Sequence, residues 1–319
     1  MDEFTFINSI KQQYYRQSSL VKGIGDDAAV FRQSNTDIVT AVDTFVEDVH
    51  FKKSTMSAFH IGYRILAANI SDLAAMGSTP AFYLVSIVIP KSWTHLEVAD
   101  IFKGMKKIAS YYKMDLIGGD TVSGKEMTIS VTVIGYSEKR VRYRSDSKDG
   151  DIVFVTGTLG DSQAGYHILT NPANYQEDQY YIARHRMPTP RVEFATGLSK
   201  DVRVALNDVS DGIASEAAEI AVASNVSILI HDDKVPVRDS YKQFPEHSQY
   251  QWKYFGGEDF ELIGTVAKQN WEHIVSLANQ LGLRLTSIGE VFLEDNNHVY
   301  LKKNNKIKIL PKQGYNHLK

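Results

Sequence analysis

The sequence predicts a two-domain α/β protein with mixed sheets, and three observations support this fold class. The chain has 319 residues, which is more than one compact core usually accommodates, so its length favours about two domains. Segments with strand-like alternation repeatedly exchange with segments whose apolar residues recur at helical spacing. A charged stretch containing Asp149, Gly150 and Asp151 interrupts this exchange, and we place the boundary near residue 145. The expected domains are residues 1–145 and 146–319.

Composition narrows the functional classes. The apolar content of 43% and charged content of 23% are ordinary for a soluble globular protein, and a net charge of -3 gives no signal for nucleic acid or membrane binding. The chain has no cysteine, so any metal must be held by oxygen or imidazole. The first residues lack the layout of a secretion signal, and no apolar run approaches the ~20 residues of a membrane span. We therefore expect a cytoplasmic protein.

The first half reads as a sheet-forming unit with two longer helices. Apolar residues at Ile61, Ile65 and Ala68 share one face of a helix that ends near Met76. The other segments follow either this helical spacing or the alternation of apolar and polar residues that is typical of strands. The expected helices are 3–15, 58–76 and 96–112, and the expected strands are 27–31, 37–42, 81–89, a short strand from 115 and 128–136.

The second half alternates strands and helices and closes with a hairpin. Residues 171–190 are polar, tyrosine-rich and basic, so we expect a mobile connection there. The expected strands are 152–156, 202–209, 226–231, 261–266, 299–301 and 307–310, and the expected helices are 162–169, one from Arg191, 213–223 and 271–281.

Acidic residues recur beside glycines or at predicted strand ends. Glycine lets the backbone approach a ligand closely, and a carboxylate that follows can hold a cation. A solvated turn explains any one such corner, but the recurrence favours a multi-cation site. The acids are Asp26 and Asp27 after Gly23-Ile24-Gly25, Asp43, Asp72, Asp120 after Gly118-Gly119, Asp208, Asp211, and Glu258 and Asp259 after Gly256-Gly257.

Three of these acids have competing interpretations. Asp72 lies beside the apolar stripe of the predicted helix, where a buried carboxylate needs a cation or several donors; an internal cap is the alternative. Asp208 and Asp211 lie where a strand ends and a helix begins, so the helix N-terminus could support an anion while the acids hold its metal. Ser210 and Asp211 as simple N-caps remain the alternative.

A cluster of this charge is most useful for gathering magnesium around a polyphosphate. Phosphoryl transfer needs alignment and charge neutralisation, which magnesium and arginine supply. Arg140, Arg142 and Arg144 alternate; one should point inward if phosphate binds nearby, although alternating arginines also protect an edge strand. No Walker motif, protein-kinase motif set or paired histidine spacing for zinc occurs in the sequence.

Seven short motifs occur in chain order and are spread over nearly the whole sequence. They are Gly23-Ile24-Gly25-Asp26-Asp27, Asp43 with His50-Phe51, Asn69-Ile70-Ser71-Asp72-Leu73-Ala74-Ala75-Met76-Gly77, Gly118-Gly119-Asp120-Thr121, Arg144 before Gly150-Asp151, Val209-Ser210-Asp211-Gly212, and Gly256-Gly257-Glu258-Asp259-Phe260-Glu261-Leu262. Together they resemble the thiamine-monophosphate kinase family, in the superfamily of aminoimidazole ribonucleotide (AIR) synthetase and selenophosphate synthetase. The resemblance implies an AIR synthetase-like fold: an N-terminal sheet-forming dimerisation domain, a C-terminal α/β domain and a homodimer.

The resemblance also implies an activity and a set of site residues. The implied reaction is direct in-line transfer of the γ-phosphoryl group of ATP to thiamine monophosphate, giving thiamine diphosphate and ADP without a covalent nucleophile. The implied magnesium ligands are Asp26, Asp43, Asp72, Asp120, Asp208 and Asp211. Of the adjacent pair, we expect Asp26 to be the direct ligand and Asp27 to support it or to hold the loop. The implied ATP contacts are Gly119, Asp120, Arg144 and Ser210, with Tyr112 beside the nucleotide. The implied substrate contacts are His50, Glu258 and Tyr315, whose ring could stack on thiamine.

Two positions depart from the family pattern. Ala41-Val42 precede Asp43 where family members often carry Ser or Thr, and Glu216 stands where Asp is usual. Other functions stay open at this point: a sister synthetase that makes aminoimidazole ribonucleotide or selenophosphate, or a non-catalytic magnesium- or nucleotide-binding subunit. Selenophosphate synthesis is disfavoured because the chain has no cysteine.

Overall fold

The computed structural model describes residues 19–22, 26–33, 36–137, 140–294 and 296–313. Gly23, Ile24 and Gly25, the helix expected over residues 3–15, and Tyr315 lie outside the described residues. Within them, thirteen strands form two sheets, and eight α-helices cover these sheets. The mixed α/β class expected from the sequence is confirmed.

The strands follow one another in two groups, six in the first sheet and seven in the second. They are β1 (Leu20–Lys22), β2 (Ala29–Gln33), β3 (Thr36–Val46), β4 (Thr79–Pro90), β5 (Asp115–Gly124), β6 (Thr128–Ser137), β7 (Ile152–Thr156), β8 (Val204–Asp208), β9 (Ser227–His231), β10 (Leu262–Val266), β11 (Leu285–Phe292), β12 (Val299–Lys303) and β13 (Lys306–Ile309).

The helices are short except for the first two. They are α1 (Ala58–Ala75), α2 (His95–Tyr111), α3 (Asp161–Thr170), α4 (Asp178–Arg186), α5 (Val192–Gly197), α6 (Ile213–Ser224), α7 (Glu246–Phe255) and α8 (Trp271–Gln280).

The N-terminal sheet has the order β1-β2-β3-β6-β4-β5, with β5 at one edge. The helices α1 and α2 pack tightly against each other. A Cβ added at Gly62 of α1 would lie 1.8 Å from the Ile101 carbonyl oxygen, and one added at Gly104 of α2 would lie 1.9 Å from the Phe59 carbonyl oxygen. Glycine is therefore required at both positions for this close approach.

The C-terminal sheet has the order β13-β12-β9-β11-β7-β10-β8, which places β8 at the edge. Its pairings are antiparallel except that of β12 with β9. Strand β8 is buried along its whole length and contacts α1 of the other half. Buried residues from both halves, such as Leu66 of α1 and Leu206 of β8, share one hydrophobic cluster.

Helix α1 is the element that joins the two halves. It begins after Ser57, whose side chain accepts a hydrogen bond from the His60 backbone N–H, as expected for an N-cap. It contacts β3, β6 and α2 in its own half and α5 and β8 in the other. Because α1 is buried from both sides, the polar residues in its last turns lie between the two sheets.

Three expectations for the chain are wrong in detail. Strand β3 continues through Asp43 to Val46, so Asp43 lies within the strand and not beyond its end. The segment Gly118-Gly119-Asp120 is not a corner after a short strand, because β5 continues to Gly124. The region from 171 to 190, expected as a mobile connection, contains α4, which buries Tyr181 and His185.

Candidate functional site

Three carboxylates converge where β2, α1 and β8 meet. Asp27 precedes β2, Asp72 lies in the last turn of α1, and Asp208 is the last residue of β8. One oxygen of each side chain lies within 4.8 Å of the others. We call these three residues the carboxylate cluster. Since their oxygens are hard ligands at short mutual distances, the cluster suits a hard divalent cation such as magnesium.

Asp43 of β3 is linked to helix α1, which carries Asp72 of the cluster, by a hydrogen bond to Asn69. It lies on the same face of β3 as the buried Ala41 and Phe45. Its backbone N–H donates to Oδ1 of Asn69 at 3.2 Å, and Nδ2 of Asn69 donates to the Ile65 carbonyl at 2.9 Å. The asparagine therefore fixes β3 against α1, one turn before Asp72.

Arg144 packs beside the cluster and contacts residues of both halves of the chain. Its Nη2 donates to Oδ1 of Asp27 at 2.7 Å and to Oδ1 of Asn207 at 3.0 Å. Its backbone N–H donates to Oδ1 of Asp26 at 3.4 Å, while Oδ2 of Asp26 lies 3.2 Å from Nζ of Lys22. The structure therefore places Asp27 in the cluster and engages Asp26 with Lys22 and Arg144.

Glu216 supports the loop between β8 and α6. It is buried in the first turn of α6, its Oε2 accepts from Nδ2 of Asn207 at 2.6 Å, and its Oε1 accepts from the backbone N–H of Asp211 at 3.1 Å. Asn207 and Glu216 are site residues that sequence reasoning did not assign. A signal for both exists in the sequence, since Asn207 adjoins Asp208 and Glu216 stands where the family usually has Asp.

The acids of this region are difficult to ionise without a cation. Burial raises the pKa of Asp27 and of Asp43 to about 6. Burial raises the pKa of Asp72 and Asp208 well above the usual range, with repulsion from neighbouring aspartates as a further cause. Oδ2 of Asp27 is buried and receives no hydrogen bond from any other described residue. A divalent cation fits these oxygens because it would stabilise the ionised carboxylates.

A cavity of about 1130 Å³ is lined by Asp43, whose charge acts on Asp72 and Asp208, although none of the three cluster residues is part of its wall. Of the residues predicted to bind metal or ATP, its wall includes Asp43, Ser210 and Asp211, and of those predicted to bind substrate it includes His50 and Glu258. The remaining wall mixes polar and aliphatic residues with aromatic ones, among them Tyr166, Trp252 and Phe255. The cavity thus combines acids at the metal side with flat apolar surface, as expected for a pocket that holds an organic ligand.

His50 and Glu258 are held in defined positions on this wall. Nδ1 of His50 accepts from the Val46 backbone N–H at 3.0 Å, and its ring lies edge-on to Phe45 at 5.4 Å. Glu258 has a φ of 68°, a strained conformation for a residue other than glycine. Its backbone N–H donates to the Ser210 carbonyl at 2.7 Å, and its carboxylate forms an ion pair with Arg64.

The structure does not bring Gly119, Asp120 and Tyr112 to the carboxylate cluster. Gly119 and Asp120 lie on the exposed edge strand β5. Across the sheet, Thr44 of β3 pairs with Ser130 of β6, which pairs with Ser86 of β4, which in turn pairs with Asp120 of β5. Asp120 is therefore three strands from β3, which at about 4.8 Å per strand is about 14 Å from Thr44.

The positions of Gly119 and Tyr112 also have structural explanations. A Cβ at Gly119 would lie 1.9 Å from the Val85 carbonyl oxygen, so glycine is needed for the pairing of β5 with β4. The Tyr112 hydroxyl donates to the Pro190 carbonyl at 3.0 Å, which joins the end of α2 to the start of the α5 region. The ATP-binding roles assigned to Gly119, Asp120 and Tyr112, and the magnesium-binding role assigned to Asp120, stay predictions.

Comparison with known proteins assigns the family. The model for the AIR synthase related protein, N-terminal domain, matches residues 25–137, and the model for the C-terminal domain matches residues 148–302. Thiamine-monophosphate kinase from Bacillus subtilis (strain 168) is 48% identical over 327 residues, covering 100% of both chains. The chain belongs to the thiamine-monophosphate kinase family. This membership confirms the family predicted from the motifs, with its AIR synthetase-like fold and kinase class.

Solved structures agree with this assignment. The structure described as AaThiL complexed with AMPPCP and TMP has a TM-score of 0.85 and 30% identity, covering 99% of this chain and 97% of that chain. Thiamine-monophosphate kinase from Stenotrophomonas maltophilia K279a has a TM-score of 0.78 and 30% identity, covering 91% and 93%. Among the helices of the described residues, none combines the length and apolar character needed to span a membrane.

Proposed function

We propose that this chain transfers the γ-phosphoryl group of ATP to thiamine monophosphate and forms thiamine diphosphate and ADP. The observation that carries the proposal is a carboxylate cluster that is connected through Asp43 to a cavity whose wall also includes His50 and Glu258. Membership of the thiamine-monophosphate kinase family and the likeness to a structure that holds an ATP analogue and TMP support the same reaction.

Several magnesium ions are proposed as cofactors. Asp27, Asp72 and Asp208 have the geometry to hold one ion, while Asp26, Asp43 and Asp211 extend the acidic surface and stay proposed ligands. When bound, magnesium neutralises the phosphoryl oxygens and aligns the polyphosphate. Arg144 donates a charged hydrogen bond of 2.7 Å to Asp27, so we propose that it holds this ligand and balances the charge of the site. Its contact with ATP stays a prediction.

The ring system of the acceptor would bind along the aromatic part of the cavity wall, opposite the acids. Thiamine monophosphate carries a cationic thiazolium ring, and aromatic walls attract such a cation. Tyr166, Trp252 and Phe255 supply these walls within the described residues. Glu258 adds a carboxylate, but its ion pair with Arg64 balances its charge. We therefore assign to Glu258 a directional hydrogen-bonding role rather than attraction by net charge.

Homodimerisation through the N-terminal sheet and a cytoplasmic location are further proposals. The edge strand β5 supports the first, because its residues are exposed throughout and include Leu116, Ile117 and Val122, which are 46%, 52% and 49% exposed. An exposed apolar edge strand is a natural surface for pairing with a second copy. Light scattering after size-exclusion chromatography tests this; a monomer at micromolar concentration contradicts it.

The reaction is tested by incubating the protein with ATP, magnesium and thiamine monophosphate and separating the products. Equal amounts of thiamine diphosphate and ADP are expected, and Asp208→Asn should form neither at a measurable rate. ATP binding without any thiamine diphosphate would favour a non-catalytic nucleotide-binding subunit. Turnover only with an aminoimidazole ribonucleotide precursor or a selenium donor would favour a sister synthetase.

The route of transfer has its own test. The chain has no cysteine, and among the described residues no histidine belongs to the group of acids that could hold a metal, so no phospho-enzyme is expected. A single in-line displacement inverts the configuration at a chiral γ-phosphorus. Retention of configuration, or a labelled protein after incubation with γ-labelled ATP alone, would contradict direct transfer.

A further inference from the structure

His185 is a buried polar residue of the cavity wall that the reaction described above does not use. It lies near the end of α4, is only 4% exposed and lines the cavity. Its Nε2 is shielded from solvent and has no hydrogen-bonding partner within the part of the chain that the structure describes. A buried polar atom without a partner is costly, and a ligand that supplies one removes this cost.

The neighbours of the other ring nitrogen determine which proton His185 carries. Nη1 of Arg64 lies 3.2 Å from Nδ1 of His185, and Oγ of Ser162 lies 3.3 Å from it. A guanidinium donates hydrogen bonds and cannot accept one, so Nδ1 is the acceptor and Nε2 bears the hydrogen. Burial and the charges of Arg64 and Arg186 lower the pKa of His185 well below its usual value, which keeps the ring neutral.

Arg64 connects His185 to the proposed substrate residue Glu258. The guanidinium is 2% exposed, donates to the His185 carbonyl oxygen and forms an ion pair with the Glu258 carboxylate. Arg64 therefore holds two groups at one wall of the cavity: the His185 ring of α4, a hydrogen-bond donor, and the Glu258 carboxylate of the loop before β10, an acceptor. Planar arginine forks suit such multiple contacts, whereas a lysine ammonium offers no fixed geometry.

We infer that His185 is a specificity-determining residue that donates a hydrogen bond from Nε2 to a ring nitrogen of the aminopyrimidine of the phosphate acceptor, and that Arg64 positions it together with Glu258. This inference rests on the proposed function. An aminopyrimidine offers an amine donor and ring-nitrogen acceptors, which complement a carboxylate and a neutral imidazole N–H. The phosphate end of the acceptor belongs with the acids, which leaves its ring for this wall.

The test compares thiamine monophosphate with analogues in which one pyrimidine nitrogen at a time is replaced by CH. The wild-type protein should bind one of these analogues about 5- to 100-fold more weakly, because the analogue leaves Nε2–H unpaired. His185→Leu should bind that analogue and thiamine monophosphate equally well. His185→Gln, which keeps an N–H near the position of Nε2, should retain part of the discrimination. His273→Leu on the exposed face of α8 is the control and should behave like the wild type.

Arg64→Lys separates positioning from a merely structural role. It keeps the positive charge but loses the fork, so the KM for thiamine monophosphate should rise about tenfold while the KM for ATP stays within a factor of two. Thermal unfolding of each variant shows whether it is folded. If the wild type turns over thiamine monophosphate but binds every analogue equally well, the role of His185 is refuted. If the wild type forms no thiamine diphosphate at all, the proposed function itself fails.

Discussion

Replacing Asp72 with asparagine should stabilise the metal-free protein and remove its response to magnesium. In the carboxylate cluster, ligand oxygens lie within 4.8 Å of one another, so each ionised pair repels by about 3.5 kcal/mol at an effective dielectric constant of about 20. Retained protons relieve much of this repulsion, because the pKa of Asp72 is raised well above its usual value by burial and by Asp43 and Asp208. We expect a net gain of about 1–3 kcal/mol at pH 8.

Thermal unfolding with and without magnesium measures this effect. The gain corresponds to a Tm increase of about 1.5–4.5 °C in a magnesium chelator. Magnesium at 100 times its Kd should stabilise the wild type by about 2.7 kcal/mol and Asp72→Asn by well under 1 kcal/mol, with turnover at least about 100-fold lower. Asp100→Asn, a partly exposed residue of α2 that pairs with Lys103 and lies outside the cluster, is the control. A variant that is less stable without metal but keeps the full magnesium response would refute the reasoning.

Three other perturbations test separate parts of the structure. Because burial raises the pKa of Asp27 and Asp43 from 3.8 to about 6, the native state binds protons more tightly than the unfolded state, so the metal-free protein should lose stability as the pH rises from about 4 to about 6. Magnesium affinity should increase over the same range; calorimetric titrations that show a constant affinity would contradict this. Gly119→Ala should destabilise the protein by about 1–3 kcal/mol, since its Cβ would lie 1.9 Å from a carbonyl oxygen of β4, and an unchanged Tm would show that β5 adjusts freely. Glu261→Gln should cost about 3–5 kcal/mol in urea unfolding because the buried Glu261 is the shared partner of two arginines; a loss below 1 kcal/mol would show that water or other groups replace it.

Much of the fold follows from local sequence patterns. The helix expected over residues 58–76 corresponds to α1, and the strand expected over 152–156 corresponds to β7, because both have clear periodicity and clear ends. Helix α4 was missed because it buries only Tyr181 and His185, which gives little apolar periodicity. The prediction ends β5 too early because Gly118-Gly119 is typical of a turn. In the structure, the glycine at 119 instead allows close pairing of β5 with β4.

The site was predictable in its chemistry but only partly in its geometry. Carboxylates beside glycines and at strand ends indicated magnesium, and Asp72 and Asp208 do lie together. The structure does not favour the predicted preference for Asp26 over Asp27 as direct ligand: Asp27 lies in the carboxylate cluster, whereas Asp26 is engaged by Lys22 and Arg144. Adjacent residues differ only in side-chain direction, which no sequence pattern specifies. The network of Asn207 and Glu216 depends on contacts between β8 and α6, which no local pattern specifies.

The central claim is that Asp27, Asp72 and Asp208 bind the magnesium that serves phosphoryl transfer. A crystal of the wild-type protein grown with Mn²⁺, a non-hydrolysable ATP analogue and thiamine monophosphate tests it most directly through anomalous scattering. We predict an anomalous peak about 2.0–2.3 Å from carboxylate oxygens of all three residues, with a phosphate oxygen of the analogue as a further ligand. Bound nucleotide with no peak at these three carboxylates would contradict the account.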